Sequence, residues 1–268
     1  MNTVRRSVVV VLAAVAVVLG VTAAASAAVT TTGYDVSYPQ CGQALPSSHA
    51  FGVVGVNGGR PTTANPCLST QLTWAWKSSG AVLSQPKAQL YLNTANPGEY
   101  IGSISTWPST GSTPYGTCDG TRTSACSWQY GWNRAHDSVV GFFGSAAPAA
   151  HASPASYLWW LDVETGNSWQ SVAADAKAQN RATLEGMTAY LASRSAAVGL
   201  YSTGYQWAQI VGSTPPTSNL AGRKNWLPGA TTLTGAAANC TAPALTPNGH
   251  VVLTQYVTNG VDRDHSCV

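Results

Sequence analysis

Tyr157-Leu158-Trp159-Trp160-Leu161-Asp162-Val163-Glu164, followed by the turn residues Thr165 and Gly166, is the stretch that decides the fold. Its apolar residues occupy both parities, which predicts a short strand buried on both faces, as in a parallel sheet. Because side chains alternate along a strand, the even-numbered residues 158 to 164 share one face and the odd-numbered residues share the other. Asp162 and Glu164 therefore lie side by side at its carboxyl end, roughly 7 Å apart at Cα.

A carboxylate pair on such an apolar strand needs an explanation. Burying one carboxylate is costly, and a second one beside it adds repulsion. The pair indicates a wet cleft in which Asp162 and Glu164 perform general acid and base chemistry on a glycoside. The same two residues also fit a calcium ligand pair or a solvated strand end.

The first 27 residues have the order of a secretory signal peptide. Arg5 and Arg6 precede an apolar run, 8–21, and a small-residue cleavage site follows at Ala25-Ser26-Ala27. The apolar run is short for a membrane span, and no later stretch is long enough. We therefore predict a signal at 1–27, one domain at 28–268, and a secreted protein, extracellular or associated with the cell wall, that does not contact the membrane after cleavage.

Composition narrows the class of partner. The 13 Lys and Arg residues include two in the signal, and against 10 Asp and Glu residues the mature chain has a net charge of about +1. This balance gives little support to nucleic acid binding. The ten Trp and eleven Tyr residues favour a neutral polar ligand, such as a sugar, that is met through aromatic faces. We expect a monomer that needs no cofactor.

The six cysteines favour three disulfides, since an even number in an exported chain is typical of such a framework. Nearness in sequence suggests the pairs Cys41–Cys67, Cys118–Cys126 and Cys240–Cys267. Zinc is the competing interpretation, but the chain has no Cys-x-x-Cys pair and its histidines show no ligand spacing. We expect no metal site.

Strands alternate with helices along the chain, which predicts a parallel sheet built from βα units. No glycine-rich phosphate turn follows a strand, so a closed barrel fits better than a dinucleotide fold. Segment 99–129 is predicted to be a long loop, held by its own disulfide, that lies over a site. The predicted strands are 33–37, 51–56, 88–93, 157–164, 198–202, 225–227 and 251–257, an eighth is expected between 230 and 245, and the helices are 66–79, 130–144 and 170–197.

Five of the ten acids lie at or just beyond the ends of these strands. In a barrel the carboxyl ends of the strands meet at one mouth, where active sites are built. Mutual repulsion there should raise at least one pKa, as a general acid near neutral pH requires. The last of them, Asp264, is also expected to pair with Arg263 or His265 at the surface. The five are Asp35, Asp162, Glu164, Asp262 and Asp264.

Four motifs in order resemble those of the glycoside hydrolase family 25 lysozymes. They are Gly33-Tyr34-Asp35-Val36-Ser37, Asp162-Val163-Glu164, Gly199-Leu200-Tyr201-Ser202, and Gln255-Tyr256 followed by Gly260-Val261-Asp262. The resemblance spans nearly the whole mature chain. It implies an irregular TIM-like β/α barrel, α/β in class, with parallel strands and a degenerate last third.

The resemblance also implies a function. The enzyme would cleave the β-1,4 bond after N-acetylmuramic acid in peptidoglycan with net retention of configuration. Glu164 would be the proton donor, Asp162 would steady the oxocarbenium-like charge or orient the acetamide, and Asp35 and Asp262 would complete the acidic floor. Aromatic rings stack on sugars, and the residues expected to contact substrate are Tyr34, Trp160, Tyr201, Tyr256 and Asn93, with core packing as the alternative for Trp160 and Tyr256.

The sequence departs from the family pattern around the predicted mouth. The segment from Phe51 to Gly59, with Arg60-Pro61, does not match it, nor does the segment from Tyr91 to Gly98, and the loop before residue 130 is extra. Substrate identity is therefore open. The alternatives are the same barrel acting on another cell-wall or extracellular polysaccharide, and a glycan-binding protein without turnover.

Overall fold

The computed structural model describes residues 30–268. The predicted signal at 1–27 lies outside this range. The chain forms a closed barrel of eight strands in the order β1-β10-β9-β8-β7-β6-β3-β2, with a separate two-stranded sheet, β4-β5. The strands are β1 (Gly33–Val36), β2 (Gly52–Gly55), β3 (Ala88–Asn93), β4 (Gly111–Thr113), β5 (Gly116–Cys118), β6 (Leu158–Asp162), β7 (Ala197–Tyr201), β8 (Lys224–Ala230), β9 (His250–Thr258) and β10 (Val261–Ser266).

Helices cover the outside of the barrel and alternate with its strands. They are long between β3 and β7 and short after β7, so the predicted irregular last third is confirmed. A π-helical turn, Asp137–Phe143, continues α2. The α-helices are α1 (Leu68–Trp76), α2 (Ser124–His136), α3 (Gly144–Ala146), α4 (Ala176–Ser193), α5 (Gly204–Ile210) and α6 (Leu233–Asn239).

The predicted alternation of β6 is confirmed by the two sides of the barrel wall. Leu158 and Trp160 pack inside the barrel, in one cluster with Phe51 and Trp226. The odd-numbered residues of the same strand pack outward, in a cluster that includes helix residues such as Leu72 and Leu184. The sequence pattern of β6 therefore gives the barrel both its lining and its contact with the helices.

The last strand corrects two predictions. Segment 230–245 contains α6, and the eighth barrel strand is β10 at 261–266. β10 is antiparallel to both of its neighbours, β9 and β1, so the barrel is not wholly parallel. The physical reason is the tight turn at Asn259-Gly260, where both residues have positive φ. A short turn of this kind reverses the chain, whereas a parallel strand needs a long crossover.

Segment 99–129 is more ordered than the predicted loop. It contains the β4–β5 hairpin, and α2 begins at Ser124 because the Thr123 Oγ1 accepts the Cys126 N–H at 3.2 Å. Glu185 is buried against the hairpin: it accepts hydrogen bonds from Tyr115 Oη and, at 2.6 Å, from Ser218 Oγ. The hairpin is thus tied to α4.

The three predicted disulfides are confirmed, and they use all six cysteines. Cys118–Cys126 joins the hairpin to α2. Cys240–Cys267 joins the end of α6 to the residue after β10. Within residues 30–268, none of the helices has the length and apolar character that crossing a bilayer requires.

Two glycines let α2 and α4 approach each other closely. A Cβ at Gly131 would lie 1.9 Å from the Thr183 carbonyl oxygen, and one at Gly186 would lie 2.0 Å from that of Trp128. The two helix backbones therefore touch, and a methyl group at either position has no room unless a helix moves.

We predict that Gly186→Ala destabilises the protein by about 1–3 kcal/mol, because overpacking against backbone cannot be relieved by a rotamer change. The free energy of unfolding is measured from urea titrations. Gly141→Ala is the matched control, since nothing lies within 4 Å of a Cβ at that helical glycine. An equal midpoint for the two variants would show that the helices are not in backbone contact.

Candidate active site

A pocket of about 220 Å³ opens at the carboxyl ends of the parallel strands, and we call it the central pocket. Four of its lining residues are acids, which come from three separate parts of the chain. The other lining residues are aromatic or amide side chains, so the pocket combines charge with flat apolar surface. The central pocket is lined by Asp35, Tyr91, Asp162, Glu164, Tyr201, Trp226, Gln255 and Asp262.

Asp162 ends β6 with its carboxyl group inside the barrel. Asn93, its register partner on β3, donates Nδ2–H to Oδ2 at 3.0 Å. The other oxygen, Oδ1, is buried without a partner among the described residues. Burial, with Glu164 and Asp35 nearby, raises the pKa of Asp162 well above its usual value. The site therefore favours the neutral form of this group.

Asn93 is itself held by a chain of hydrogen bonds that leads to the helix layer. Asn57 Oδ1 accepts the Asn93 backbone N–H at 3.1 Å, and Asn57 Nδ2 donates to Ser138 Oγ at 3.3 Å. Ser138 belongs to the π-helical turn. π-helical turns occur often at functional sites. Here the turn supports the side chain that positions Asp162.

Asp35 is positioned from the opposite wall of the barrel. Gln255 donates Nε2–H to Asp35 Oδ2 at 2.9 Å, and its Oε1 accepts the Tyr201 hydroxyl at 2.9 Å. Burial and the neighbouring Asp262 raise the pKa of Asp35 to about 8, although the Gln255 bond works in the other direction. At neutral pH Asp35 is therefore largely protonated.

Glu164 and Asp262 are the more accessible acids of the pocket. The carbonyl oxygen of Glu164 accepts the Trp169 indole N–H at 2.9 Å and the Asn167 N–H at 3.2 Å, which fixes the turn after β6. Partial burial and Asp262 raise the pKa of Glu164, and burial raises that of Asp262. A carboxylic acid that has a raised pKa and reaches solvent is suited to protonating a leaving group.

A fifth carboxyl group, Asp264, lies deeper in the barrel. It was expected to pair at the surface, but it has 0% exposure, and both of its oxygens lack a partner among residues 30–268. The expectation was wrong because residues 261–266 form a strand, whose alternation directs Asp264 inward with Asp262. Burial, followed by Asp35 and Asp262, raises the pKa of Asp264 well above its usual value.

Two larger cavities flank the central pocket. The first, about 400 Å³, shares Asp35 and Asp262 with it and includes Tyr34; we call it the Tyr34 cavity. The second, about 740 Å³, is lined by loops that follow β2, β3 and β6, and we call it the Arg60 groove. The Arg60 groove is lined by Gly59, Arg60, Pro61, Thr62, Ala95, Pro97, Ser103, Ile104, Ser105, Thr106, Tyr130, Gly166, Asn167 and Ser168.

The structure places the predicted substrate contacts in three different surroundings. Tyr201 lines the central pocket and Tyr34 lines the neighbouring cavity. Trp160 is fully buried in the barrel, where its indole N–H donates to Gln89 at 2.8 Å. Tyr256 has 5% exposure and alternates with the inward-facing Gln255. Trp160 and Tyr256 thus take the core-packing alternative, and Asn93 holds Asp162.

Three residues of the central pocket were not predicted, namely Tyr91, Trp226 and Gln255. Alternation along β3, in which Gln89, Tyr91 and Asn93 share a face, could have indicated the first. The same rule applied to β9 selects Gln255 over Tyr256. Trp226 gave no such signal because β8 contains register irregularities. Within the described part of the chain, no group of three or more His, Cys, Asp or Glu residues is arranged to hold a metal ion.

We predict that Asp35→Asn stabilises the protein at pH 8 but not at pH 4. An acid whose pKa is raised on folding contributes its stability below the unfolded pKa, and this is lost as the pH rises towards the folded value of about 8. Removing the charge should add about 1–3 kcal/mol at pH 8, measured by urea unfolding at both pH values.

Asp119→Asn is the control for that experiment. Asp119 is fully exposed, and hydrogen bonds from Thr121 lower its pKa, so its removal should give no gain at pH 8. A pH-independent effect of Asp35→Asn would mean that folding does not raise the pKa of Asp35.

Comparisons with known proteins support the fold. No family model matches the chain, and no curated protein matches it. A muramidase from Trichobolus zukalii aligns with a TM-score of 0.49 and 17% identity, over 88% of this chain and 93% of its own. A bacterial lysozyme from Streptomyces coelicolor aligns with a TM-score of 0.50 and 17% identity, over 88% of this chain and 91% of its own. At this identity the second likeness shows the fold alone: the closed barrel described above is also the barrel of that lysozyme.

Proposed function

We propose that this protein is a secreted glycoside hydrolase of the family 25 lysozyme type, which cleaves the β-1,4 bond after N-acetylmuramic acid in peptidoglycan. The observation that carries the proposal is the meeting of Asp35, Asp162, Glu164 and Asp262 in one pocket of about 220 Å³. Glycoside hydrolysis needs an acid for the leaving oxygen and negative charge for the oxocarbenium-like transition state. The central pocket has both.

Glu164 is the proton donor in this proposal. It is accessible to substrate, its backbone is fixed, and its pKa is raised by burial and by Asp262. The raised pKa favours its protonated form, which would transfer the proton to the glycosidic oxygen as the bond to C1 breaks. The positive charge that develops on the sugar lowers the cost of ionising the acids around it.

Asp162 is the group we assign to the sugar ring. Its partner Asn93 fixes one carboxyl oxygen, and the unpartnered Oδ1 is left for the substrate. It would orient the acetamide or steady the charge at C1, and retention of configuration would follow if the substrate's acetamide or a carboxylate attacks C1. Asp262 would supply negative potential, and Asp35, which is largely protonated at neutral pH, would add to it on losing its proton.

A polymer is favoured as substrate by the cavities on either side of the pocket. The Tyr34 cavity, the central pocket and the Arg60 groove together border the mouth of the barrel, so a chain of sugars could bind with its scissile bond over the acids. Peptidoglycan is chosen by analogy, from the four family motifs and from the barrel shared with a bacterial lysozyme.

We predict that Glu164→Gln lowers kcat for peptidoglycan hydrolysis by about 100-fold or more, because the amide cannot supply the proton. Release of reducing ends measures the rate, and proton NMR of the first product formed gives its anomeric configuration, expected to be β. Full activity of Glu164→Gln would remove this residue from the proposed role.

Glu99→Gln is the matched control for this substitution. Oε1 of Glu99 accepts the backbone N–H groups of both Ser171 and Val172, and a glutamine keeps an oxygen that can accept both. Its activity should match that of the wild type. Hydrolysis of another glycan with peptidoglycan left intact would transfer the proposal to that polymer, and glycan binding without any product would favour a binding protein.

We predict that Asp262→Asn moves the alkaline limb of the kcat/KM profile to lower pH. The negative charge of Asp262 raises the pKa of Glu164, so its removal lets Glu164 lose its proton at lower pH. The midpoint of the limb is read from rates between pH 4 and pH 9. An unmoved midpoint, in a variant with residual activity, would show that Glu164 and Asp262 are not coupled.

A further inference from the structure

We propose that the Arg60 groove binds a carboxylate carried by the glycan substrate, so that Arg60 selects acidic chains over neutral ones. This inference rests on the proposed function and adds to it a determinant of specificity. Its basis is the position of a single cation in the largest cavity beside the catalytic acids.

Arg60 stands on a loop that is well ordered by its own hydrogen bonds. Residues 57 and 64 form an antiparallel bridge, Gly58 N–H donates to the Thr63 carbonyl at 2.8 Å, and Thr63 N–H donates to the Arg60 carbonyl at 3.1 Å. Gly59 has a φ of +83°, and a Cβ there would lie 2.9 Å from Tyr38 Oη. These hydrogen bonds fix the backbone of the loop that carries Arg60. Gly59 lets this loop pass close to the Tyr38 ring.

The groove adjoins the central pocket at the turn after β6, because Gly166 in the groove follows Glu164 in the pocket by two residues. Gly59 and Ala95 in the groove follow Asn57 and Asn93 by two residues, and these two asparagines support Asp162 of the pocket. Two residues span at most about 7 Å, or little more than one sugar unit. A substituent on a sugar bound over the acids, or on its neighbour, can therefore reach this groove.

Charge decides what the groove can accept. Arg60 is its one charged lining residue, whereas the central pocket is lined by four acids and the Tyr34 cavity by two of the same acids. An anionic substituent would be repelled from both of those cavities. Within residues 30–268 the guanidinium of Arg60 forms no ion pair, and its side chain is exposed, so its N–H fork is available to a ligand.

The experiment compares Arg60→Gln with the wild type on three polymers. Intact peptidoglycan carries carboxylates on its peptides, glycan strands freed of peptide carry them on the lactyl ether, and a β-1,4-linked N-acetylglucosamine polymer carries none. On the substrate whose carboxylate Arg60 binds, we expect affinity to fall and KM to rise by about fivefold to tenfold. On the neutral polymer we expect a change of less than about twofold. Arg60→Lys should recover part of the loss, since it keeps the charge without the fork.

Arg194→Gln is the matched control. Arg194 is also exposed, and its substitution removes the same charge. It follows α4, however, at the end of the barrel opposite to the mouth. Affinities are measured by co-sedimentation with each insoluble polymer, which needs no turnover. Equal losses on all three polymers, or no loss on either acidic one, overturn the inference. If Arg60→Gln alone weakens binding to an acidic polymer while no polymer is hydrolysed by the wild type, the inference stands and the proposed function fails.

Discussion

Repulsion among carboxyl groups inside the barrel is the constraint on which the rest of the structure depends. Asp35, Asp162, Glu164 and Asp262 share the mouth, and Asp264 lies below them with no exposure. Each is deprived of hydration, and each raises the proton affinity of its neighbours. The fold must therefore supply enough stability elsewhere to hold these groups together. It does so with a double-layered core, a backbone contact between α2 and α4, and three disulfides.

Amide side chains separate the acids into different roles. Asn93 and Gln255 each donate to one carboxyl oxygen and are in turn fixed by Asn57 and by Tyr201. An amide can do this without adding charge: its N–H orients the acid and lowers the acid's pKa, but by less than burial raises it. The accessible Glu164 has no side-chain partner of this kind among the described residues and remains free to meet a substrate.

Much of this arrangement could be read from the sequence, because it follows from alternation. The strand 157–164 predicted its own two faces, and the ends of the predicted strands identified the acids that the barrel brings together. Chain reversal was not predicted: the last predicted strand ends at 257, so the turn at Asn259-Gly260, the strand β10 after it and the burial of Asp264 were missed. The burial of the Trp160 and Tyr256 rings was predicted only as an alternative, because the local sequence does not indicate how deep in the protein a side chain lies. The irregular pairing of β8 hid Trp226 in the same way.

The antiparallel strand β10 has a mechanical consequence. It joins β1 through only two paired positions, Gly33 with Asp264 and Tyr34 with Arg263. Asp35 follows Tyr34 on β1 and Asp262 precedes Arg263 on β10, so the two acids lie at the same end of this pairing. Ionisation of both side chains would place two like charges across the shortest strand pairing of the barrel, while the disulfide Cys240–Cys267 anchors the end of β10 to α6. The acids that gather at the mouth of the barrel are therefore also the ones whose charge would weaken its closure.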